Sequence, residues 1–471
     1  MVTTDRSSLA TRTILDFPDA MAVFRSRLSG SLITQDDASY ASARPSRNLR
    51  MHSRPFAILQ AANENDVIEA VRFTTAQQLH LAIRSGGHGI AGYDRVECAL
   101  LVDLANLQQV TVDPITRTAR VQPGATSAVI AAAAHEHGLA LSTGDTSSVS
   151  IGGLTTGGGI GFLSRAYGLT IDSLISARVV TAAGEVLVAS AIEHPDLFWA
   201  IRGGGSNFGI VTEFTFRLAP VDTVLGGILI QPATRETLRG YLERAIAAPD
   251  GLTTMAHIMH APPLPFVPQE WIGKMVLATL VCWTGTPESG QAALAPFRSL
   301  AEPVVDMVSE MPYPAMFQFT DHQAHPHSGS IRMMFADDLS DETLDAMLTA
   351  VQTAPTPFPL IQLRAMGGAI ARIDCNATAF SNRHQRYFVA VIGPWMDPAD
   401  TGAVAIDWTM RTWDAIREDG DGVYVNFLED GEEDRIVEAY GTATLERLTK
   451  IKRFYDPRNL FHHGPNIKPA I

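Results

Sequence analysis

The sequence predicts an α+β fold built from two domains. Short strand and helix patterns alternate in the first half, and residues 178–190 have the pattern of an antiparallel hairpin. After about Pro220 the predicted strands and helices become longer. Helices mixed with antiparallel strands favour an α+β fold over a doubly wound parallel sheet. With 471 residues, of which 46% are hydrophobic, the chain is long enough for two domains with full cores.

Apolar runs between turn residues predict short strands in the first half. These strands cover residues 56–60, 81–83, 100–103, 110–112, 119–122 and 212–218. Asn65 and Asp66 are expected to cap one helix. An alanine-rich helix over residues 127–136 is expected to end at His137 and Gly138.

Longer elements predict a second domain over residues 221–419. They comprise strands over 275–283 and 388–392 and helices over 235–246 and 343–353. Glycine-dense segments with candidate functional residues are concentrated in the first domain, residues 1–220. Segments of this kind recur only at the carboxyl end. We therefore expect residues 420–471 to fold back onto the first domain.

Charge and cysteine content exclude several classes of function. The formal net charge is −14 and no cluster of five basic residues occurs, so we expect no nucleic-acid partner and no membrane partner. Residues 1–18 have no apolar core of the kind a secretory signal needs. Three widely spaced cysteines, Cys98, Cys282 and Cys375, argue against a disulfide framework and a zinc site and favour a reducing cytoplasm.

The segment Ile83-Arg84-Ser85-Gly86-Gly87-His88-Gly89 is the most informative local pattern. Its glycines permit positive φ angles and expose backbone N–H groups, an arrangement that suits a phosphate. An ordinary strand-to-loop turn would share the glycines but has no need of the imidazole. On the pattern alone, a cofactor loop and a plain turn remain equally open.

Two further blocks are rich in glycine. Residues 152–161 hold six glycines in ten positions, which indicates that the backbone comes close to something flat or anionic. The block RGGGSNFGIV, residues 202–211, precedes a predicted strand. A dinucleotide-binding Rossmann fingerprint follows a strand and opens a helix, so this block is not one.

Taken together, the motifs resemble those of the FAD-linked oxidases of the vanillyl-alcohol oxidase superfamily, in the branch of berberine bridge enzyme and 6-hydroxy-D-nicotine oxidase. The matching segments are RSGGHG, GGGIGFLSRAYGL, RGGGSNFGIV and YVNFLED…YDPRNLF, in the family's order from about residue 50 to the end. The resemblance implies a two-part FAD-binding domain, formed by a core over about residues 50–220 and the carboxyl-terminal tail. It also implies an antiparallel-sheet substrate domain with helices.

The resemblance also implies roles for single residues. His88 takes the position of the histidine that bonds to the flavin 8α-methyl carbon, and neutral imidazole is a suitable nucleophile at pH 7. Thr146 stands where many relatives have a cysteine that forms a second link, so we expect a single attachment. Val149 stands at a position near the oxygen route of relatives. The implied cofactor-binding residues are Arg84, Ser85, Gly86, Gly87, Gly89, Thr143, Gly144, Thr146, Val149, Gly152, Gly153, Gly157, Gly158, Gly159, Gly161, Gly209, Ile210, Val211 and Asn426.

Tyr424 and Asn426 form the second candidate site. Residues 423–427 alternate as a strand does, which would place both side chains on one face. The resemblance implies that Tyr424 is the catalytic base toward the substrate. A free tyrosine has a pKa near ~10, so neighbouring positive or hydrogen-bonding groups would have to lower it.

Residues of the second domain give weaker indications about substrate. Alternation on one strand aims Gln362 and Arg364 either into a substrate cavity or at the surface. His322 and His325 are candidates to line the site, and we expect no metal site there or elsewhere. Apolar side chains in this domain, among them Met333 and Trp395, favour an apolar aromatic or alicyclic substrate.

The sequence thus predicts a cytoplasmic FAD-dependent oxidase whose partners are a small organic molecule and O2. Substrate hydride would pass to flavin N5, and oxygen would be reduced to hydrogen peroxide. Two alternatives stay open. One is a flavin dehydrogenase with another electron acceptor, and the other is a flavoprotein that sequesters a drug or metabolite with little turnover.

Overall fold

A computed structural model describes residues 18–47, 54–90, 99–321, 328–397, 400–429 and 432–471. In these segments the chain forms three β-sheets surrounded by helices. Helices and antiparallel strands are mixed, which confirms the predicted α+β class.

Four short strands form the first sheet in the order β1-β2-β4-β3. They are β1 (Ser31–Thr34), β2 (Ala57–Gln60), β3 (Leu81–Arg84) and β4 (Leu100–Asp103). The accompanying helices are α1 (Pro18–Ser26), α2 (Tyr40–Ala43) and α3 (Glu64–Gln77). Strands β2 and β3 both run parallel to β4, and α3 forms the crossover between them. Stacked rings of Phe24 and Phe73, with centroids 4.3 Å apart, join α1 to α3.

The start of α3 differs from the prediction. Asn63, rather than Asn65 or Asp66, is the N-cap, and its side chain accepts a hydrogen bond from the Asp66 N–H. The Asp66 carboxylate is buried and accepts hydrogen bonds from the N–H groups of Ser29, Gly30 and Ala62. A capping residue and a residue that ties in a neighbouring turn share the same composition, so the sequence alone could not separate them.

Five antiparallel strands form the second sheet in the order β5-β6-β9-β7-β8. They are β5 (Val110–Asp113), β6 (Thr118–Val121), β7 (Leu174–Val180), β8 (Val186–Ser190) and β9 (Ile210–Arg217). Its helices are α4 (Ser127–His135), α5 (Ile151–Gly157), α6 (Ser164–Tyr167) and α7 (Pro195–Ala200). The predicted hairpin is the β7–β8 pair, and Gly184 in its turn has φ +71°. This sheet packs into a core that also takes in side chains of the third sheet and of the tail.

The third sheet has eight antiparallel strands, in the order β13-β10-β12-β11-β16-β17-β15 with β14 paired to β10. They are β10 (Thr223–Pro232), β11 (Leu252–His260), β12 (Met275–Trp283), β13 (Val305–Asp306), β14 (Ser309–Pro312), β15 (Ser328–Ala336), β16 (Leu360–Ala365) and β17 (Tyr387–Trp395). The helices of this region are α8 (Arg235–Ala247), α9 (Pro287–Arg298), α10 (Asp341–Gln352), α11 (Ala369–Arg372) and α12 (Ala403–Ile416).

The two faces of the third sheet have different partners. On β16, Ile361 and Leu363 join the core beneath α8, α10 and α12. Because side chains alternate along a strand, Gln362 and Arg364 lie on the opposite face, which is turned toward the first domain. The apolar residues that suggested an apolar substrate are themselves core: Met333 is fully buried and Trp395 is 6% exposed. The burial of these side chains therefore removes the basis for that inference, and the character of the substrate stays a prediction.

The carboxyl-terminal tail returns to the first domain. It contains helix α13 (Ile436–Tyr455), which kinks at Gly441, where φ is +68°. Residues 423–427 are not the predicted strand, because Val425–Phe427 forms a 3-10 turn closed by the Phe427 N–H and the Tyr424 carbonyl. The other 3-10 turns are Thr170–Ser173, Gly205–Phe208, Gln269–Trp271, Tyr313–Phe319, Arg417–Asp419 and Glu433–Arg435.

A buried ion pair fixes the tail to the first domain. The Lys452 ammonium and the Asp456 carboxylate, both fully buried, are 2.6 Å apart. Lys452 also donates to the carbonyl oxygens of Asn207 and Phe461. The Asn207 side chain in turn bonds to the backbone of Pro465 and Ile467, so the tail is held at several points.

No helix within the described segments is both long enough and apolar enough to span a bilayer.

Replacing Lys452 by Met should destabilise the protein by about 3–5 kcal/mol, because Asp456 would remain buried without its cation. Urea unfolding followed by circular dichroism measures the loss. Arg411→Ala is the matched control, since the Arg411–Asp407 pair is solvent-exposed and should contribute less than about 1 kcal/mol. Equal small losses in both variants would contradict the anchoring role of Lys452.

Candidate active site

The loop that follows β3 is held in place by Arg84. The guanidinium is buried and donates to the carbonyl oxygens of Ala43, Arg44 and Pro45, and it pairs with Asp103 at 2.8 Å. These contacts occupy the side chain with protein partners. Arg84 thus supports the loop from below, and a cofactor-binding role for its guanidinium stays a prediction that this geometry does not favour.

The His88 loop packs directly on the second glycine block. A Cβ atom at Gly86 would lie 2.5 Å from Ser150 Oγ, and one at Gly152 would lie 2.5 Å from Ser85 Oγ. The missing side chains therefore allow the two loops to touch. Nε2 of the half-buried His88 lies 3.0 Å from the Ser148 hydroxyl. The structure thus brings His88 beside the segment 142–161.

Protein partners account for the glycine density at residues 157–161. A Cβ atom at Gly157 would overlap the Asn426 amide, one at Gly159 would overlap Thr170, and one at Gly161 would overlap the Thr143 carbonyl. Gly158 has φ +141° and lies under the rings of Phe380 and Tyr424. Protein packing thus accounts for the missing side chains of this run, and the cofactor contacts of its backbone stay a prediction.

Gly153 is different from its neighbours. A Cβ atom there would meet no protein atom within 4 Å, and the residue is exposed. Gly144 sits behind it, against the side chain of Leu154. An exposed glycine beside a histidine loop and a buried tyrosine leaves room for a flat, anionic group, so the residues fit FAD.

Tyr424 is buried and receives two hydrogen bonds at its phenol oxygen. The Gly159 N–H donates at 2.8 Å and the Asn426 amide at 2.9 Å. Burial is the largest influence and raises the pKa of Tyr424 to about 12, against the two hydrogen bonds and the charge of Arg364, which lower it. The structure thus brings Tyr424 and Asn426 together and supplies the hydrogen-bonding and positive groups that a tyrosine base would need, but burial outweighs them.

A chain of polar side chains crosses the inner face of the third sheet. The buried Gln362 amide donates to His257 Nε2 at 2.9 Å, and Arg364 Nε donates to Gln362 Oε1 at 2.8 Å. Arg364 then pairs with Asp145 at 2.6 Å. Gln362 and Arg364 thus face the first domain, not the surface. Because the Gln362 amide is a donor, His257 Nε2 accepts and its proton lies on Nδ1.

A small cavity lies between this sheet face and the second glycine block. Its polar lining includes Asp145, Arg364, Thr253 and Thr254, and its apolar lining includes Phe162. Asp145 and His257 were not recognised as site residues in the sequence. Asp145 lies in a turn of small residues, and its partner is 219 positions away, so no local signal could reveal the pair.

The remaining predicted residues play backbone or core roles. Ile210 and Val211 are buried where β9 pairs with β7, and Gly209 lies against Val180. Thr146 is buried next to Asp145, and its hydroxyl lies 3.2 Å from that carboxylate. The Val149 carbonyl accepts a hydrogen bond from the Ser127 N–H. His322 and His325 lie outside the described residues.

Comparisons with known proteins agree with this architecture. A family profile described as an FAD binding domain matches residues 55–190, and a second, described as berberine and berberine like, matches residues 423–468. The chain is 30% identical to an FAD-linked oxidoreductase of Dictyostelium discoideum, and the match covers 90% of each protein. It is 29% identical to (R)-6-hydroxynicotine oxidase of Paenarthrobacter nicotinovorans, over 94% of this chain and 97% of the other.

Among solved structures, the glucooligosaccharide oxidase of Acremonium strictum, described with a 6-S-cysteinyl, 8α-N1-histidyl FAD, has the same fold. Its TM-score is 0.84 at 22% identity, over 96% of this chain and 99% of that one. The fold and the site thus define an FAD-linked oxidoreductase. This chain belongs to the berberine bridge enzyme and 6-hydroxy-D-nicotine oxidase branch of the FAD-linked oxidoreductases, and its cofactor is FAD.

Two glycine substitutions separate packing from cofactor binding. Gly161→Ala should destabilise the protein by about 1–3 kcal/mol, because the new methyl group overlaps the Thr143 carbonyl. Gly153→Ala should leave the stability of the FAD-free protein unchanged but lower the FAD content per chain. Thermal unfolding and the ratio of flavin to protein absorbance measure the two effects. If Gly153→Ala kept full FAD content, the cofactor would not lie against that residue.

Proposed function

We propose that the chain is an FAD-dependent oxidase that carries its FAD covalently on His88. It would take hydride from a small organic substrate and reduce O2 to H2O2. The observation that carries the proposal is that one segment, residues 142–161, contacts both candidate groups. Ser148 lies 3.0 Å from His88, and the Gly159 N–H donates to Tyr424.

FAD, when bound, supplies the acceptor for hydride and the route of the electrons to oxygen. His88 and the exposed Gly153 would hold it, together with residues 142–152, which pack against the His88 loop. Neutral imidazole is a competent nucleophile, and the histidyl FAD of the glucooligosaccharide oxidase supports an attachment of this kind. The second, cysteinyl link of that enzyme needs a thiol. Thr146 stands at the position of this cysteine in relatives and has only a hydroxyl, so we propose a single covalent bond.

Tyr424 would position the substrate and accept its proton. The Gly159 N–H and the Asn426 amide donate to the phenol oxygen, and both donors stabilise negative charge on it. Burial opposes that charge and keeps the phenol neutral at pH 7. We therefore propose that the phenolate, a small fraction at pH 7, takes a hydroxyl or amine proton as hydride leaves the neighbouring carbon.

The cavity on the inner face of the third sheet favours an uncharged substrate. Two cations, Arg165 and Arg364, line it. Asp145 neutralises Arg364 at 2.6 Å, and Arg165 donates its hydrogen bonds to backbone carbonyl oxygens. A substrate carboxylate would have to displace Asp145 from the guanidinium and leave it buried without a partner. The substrate class that fits best is a small neutral alcohol, phenol or amine.

Acid precipitation tests the covalent link. The unaltered protein should give a yellow pellet, whereas His88→Ala should release its flavin into the supernatant because no bond remains. His137→Gln, which changes an exposed histidine, should keep the yellow pellet. A colourless pellet from the unaltered protein would show that FAD is held by contacts alone.

The pH dependence of turnover tests Tyr424. With a pKa of about 12, the ionised fraction increases about tenfold per pH unit below that value, so kcat/KM should still rise above pH 9. Tyr424→Phe should lower kcat by ~10²–10⁴-fold and remove this rise. Peroxide release with a panel of alcohols, phenols and amines provides the assay.

Tyr387→Phe is the control, because Tyr387 is a buried tyrosine on the helix side of the third sheet. A normal rate with Tyr424→Phe would exclude the proposed proton transfer. Rapid mixing of the reduced protein with O2 tests the acceptor. Slow reoxidation together with fast reduction would replace the oxidase by a dehydrogenase.

A further inference from the structure

Three histidines meet at a place remote in sequence from the candidate active site. His80 immediately precedes β3, and His462 and His463 lie in the tail after α13. One ring nitrogen from each histidine lies within 4.8 Å of the other two. Because His80 and His462 are 382 positions apart, no local sequence pattern connects them.

The spacing of the nitrogens suits a metal ion. His80 Nδ1 and His462 Nε2 are 3.2 Å apart. Two nitrogens bound to one tetrahedral Zn2+ at about 2.0–2.1 Å are separated by roughly 3.3 Å. The His463 ring is tilted by 43° to the His462 ring, with centroids 4.0 Å apart, so both rings belong to one cluster.

Hydrogen bonds fix the form of His462. Its Nδ1 lies 2.8 Å from the Asn459 carbonyl and 3.2 Å from the Leu460 carbonyl. Carbonyl oxygens only accept, so Nδ1 carries the proton and Nε2 accepts a hydrogen bond from the His80 Nδ1–H, whose proton a metal ion would replace. A histidine that donates one ring N–H to a backbone carbonyl and offers the other nitrogen is the usual arrangement of a metal ligand.

His463 has a second feature that indicates a ligand. Its Nε2 is buried and has no hydrogen-bond partner among the described residues. A buried polar atom without a partner carries a desolvation penalty, which a bound cation would remove.

The backbone around the cluster is rigid. His80 is tied to β4 through its carbonyl, which accepts from the Leu100 N–H. On the tail side, the buried Lys452 donates to the Phe461 carbonyl, and Asp456 accepts from the Leu460 and Phe461 N–H groups. Asp456 also compensates the charge of Lys452, so that cation does not oppose a second one.

We propose that His80, His462 and His463 form a binding site for a divalent transition-metal ion such as Zn2+. Three histidines fill three of four tetrahedral positions and leave one for water. The ion joins the tail to the residue that precedes β3, the strand leading into the His88 loop. Its role is to clamp the tail against the first domain, independently of the redox chemistry.

The experiment uses the full-length flavin-loaded protein without a polyhistidine tag, treated with EDTA and then dialysed. Isothermal titration with Zn2+ should show saturable binding of one equivalent. His462→Gln and His463→Gln should each lower the affinity by at least about 10-fold. The control His137→Gln changes an exposed histidine and should bind as the unaltered protein does.

Hydrogen exchange tests the clamp itself. Zn2+ should slow amide exchange in residues 459–467 of the unaltered protein and have no such effect in His463→Gln. Absence of saturable binding, or equal binding by all variants, would overturn the site. Binding without slower exchange in the tail would overturn the clamp.

A second measurement uses the unaltered protein, so it tests the site even where the histidine variants fail to fold. Copper(II) is bound by the same ligand type, and its paramagnetic resonance spectrum resolves coupling to nitrogen ligands. One equivalent of Cu2+ should show nitrogen coupling. A spectrum with oxygen ligands only would overturn the proposal.

Discussion

The candidate active site depends on one contact, the hydrogen bond from the Gly159 N–H to the phenol oxygen of Tyr424. It joins two segments that are 265 positions apart and places the tail on the second glycine block. The contact is possible only because Gly157 and Gly158 have no side chains where Asn426 and Tyr424 pack. These glycines allow close packing between two parts of the protein. The neighbouring surface around Gly153 stays open and could receive a ligand.

The same packing determines the electrostatics of Tyr424. Its ring lies between Phe380 and Phe427, so the phenol loses water and its pKa rises despite two donors at the oxygen. Burial thus raises the pKa of the phenol, the two hydrogen bonds lower it, and burial has the larger effect. In the proposed mechanism the phenol is therefore neutral in most molecules, and the phenolate is the form that accepts the substrate proton.

Local pattern was enough to predict most elements, and the resemblance of the motifs to a known family implied the cofactor. The strands Met275–Trp283 and Leu100–Asp103 have the predicted bounds. An apolar run that ends at turn residues on both sides is typical of a buried strand. Residues 423–427 alternate as a strand does but form a 3-10 turn, since no neighbouring strand pairs with them in the described segments. Asp145, His257 and the histidine cluster were missed because each depends on partners brought together only by the fold.

The tail links the two places where those long-range partners meet. Helix α13 follows the turn that carries Tyr424 and precedes the segment that carries His462. The first end is fixed by the Gly159 contact, and the second by the Lys452–Asp456 pair. The kink at Gly441 lies between them and lets each end keep its own register. A change that loosens the second end should therefore lower the stability of the tail before it changes the hydrogen bonds of Tyr424, because the kink separates the two anchors.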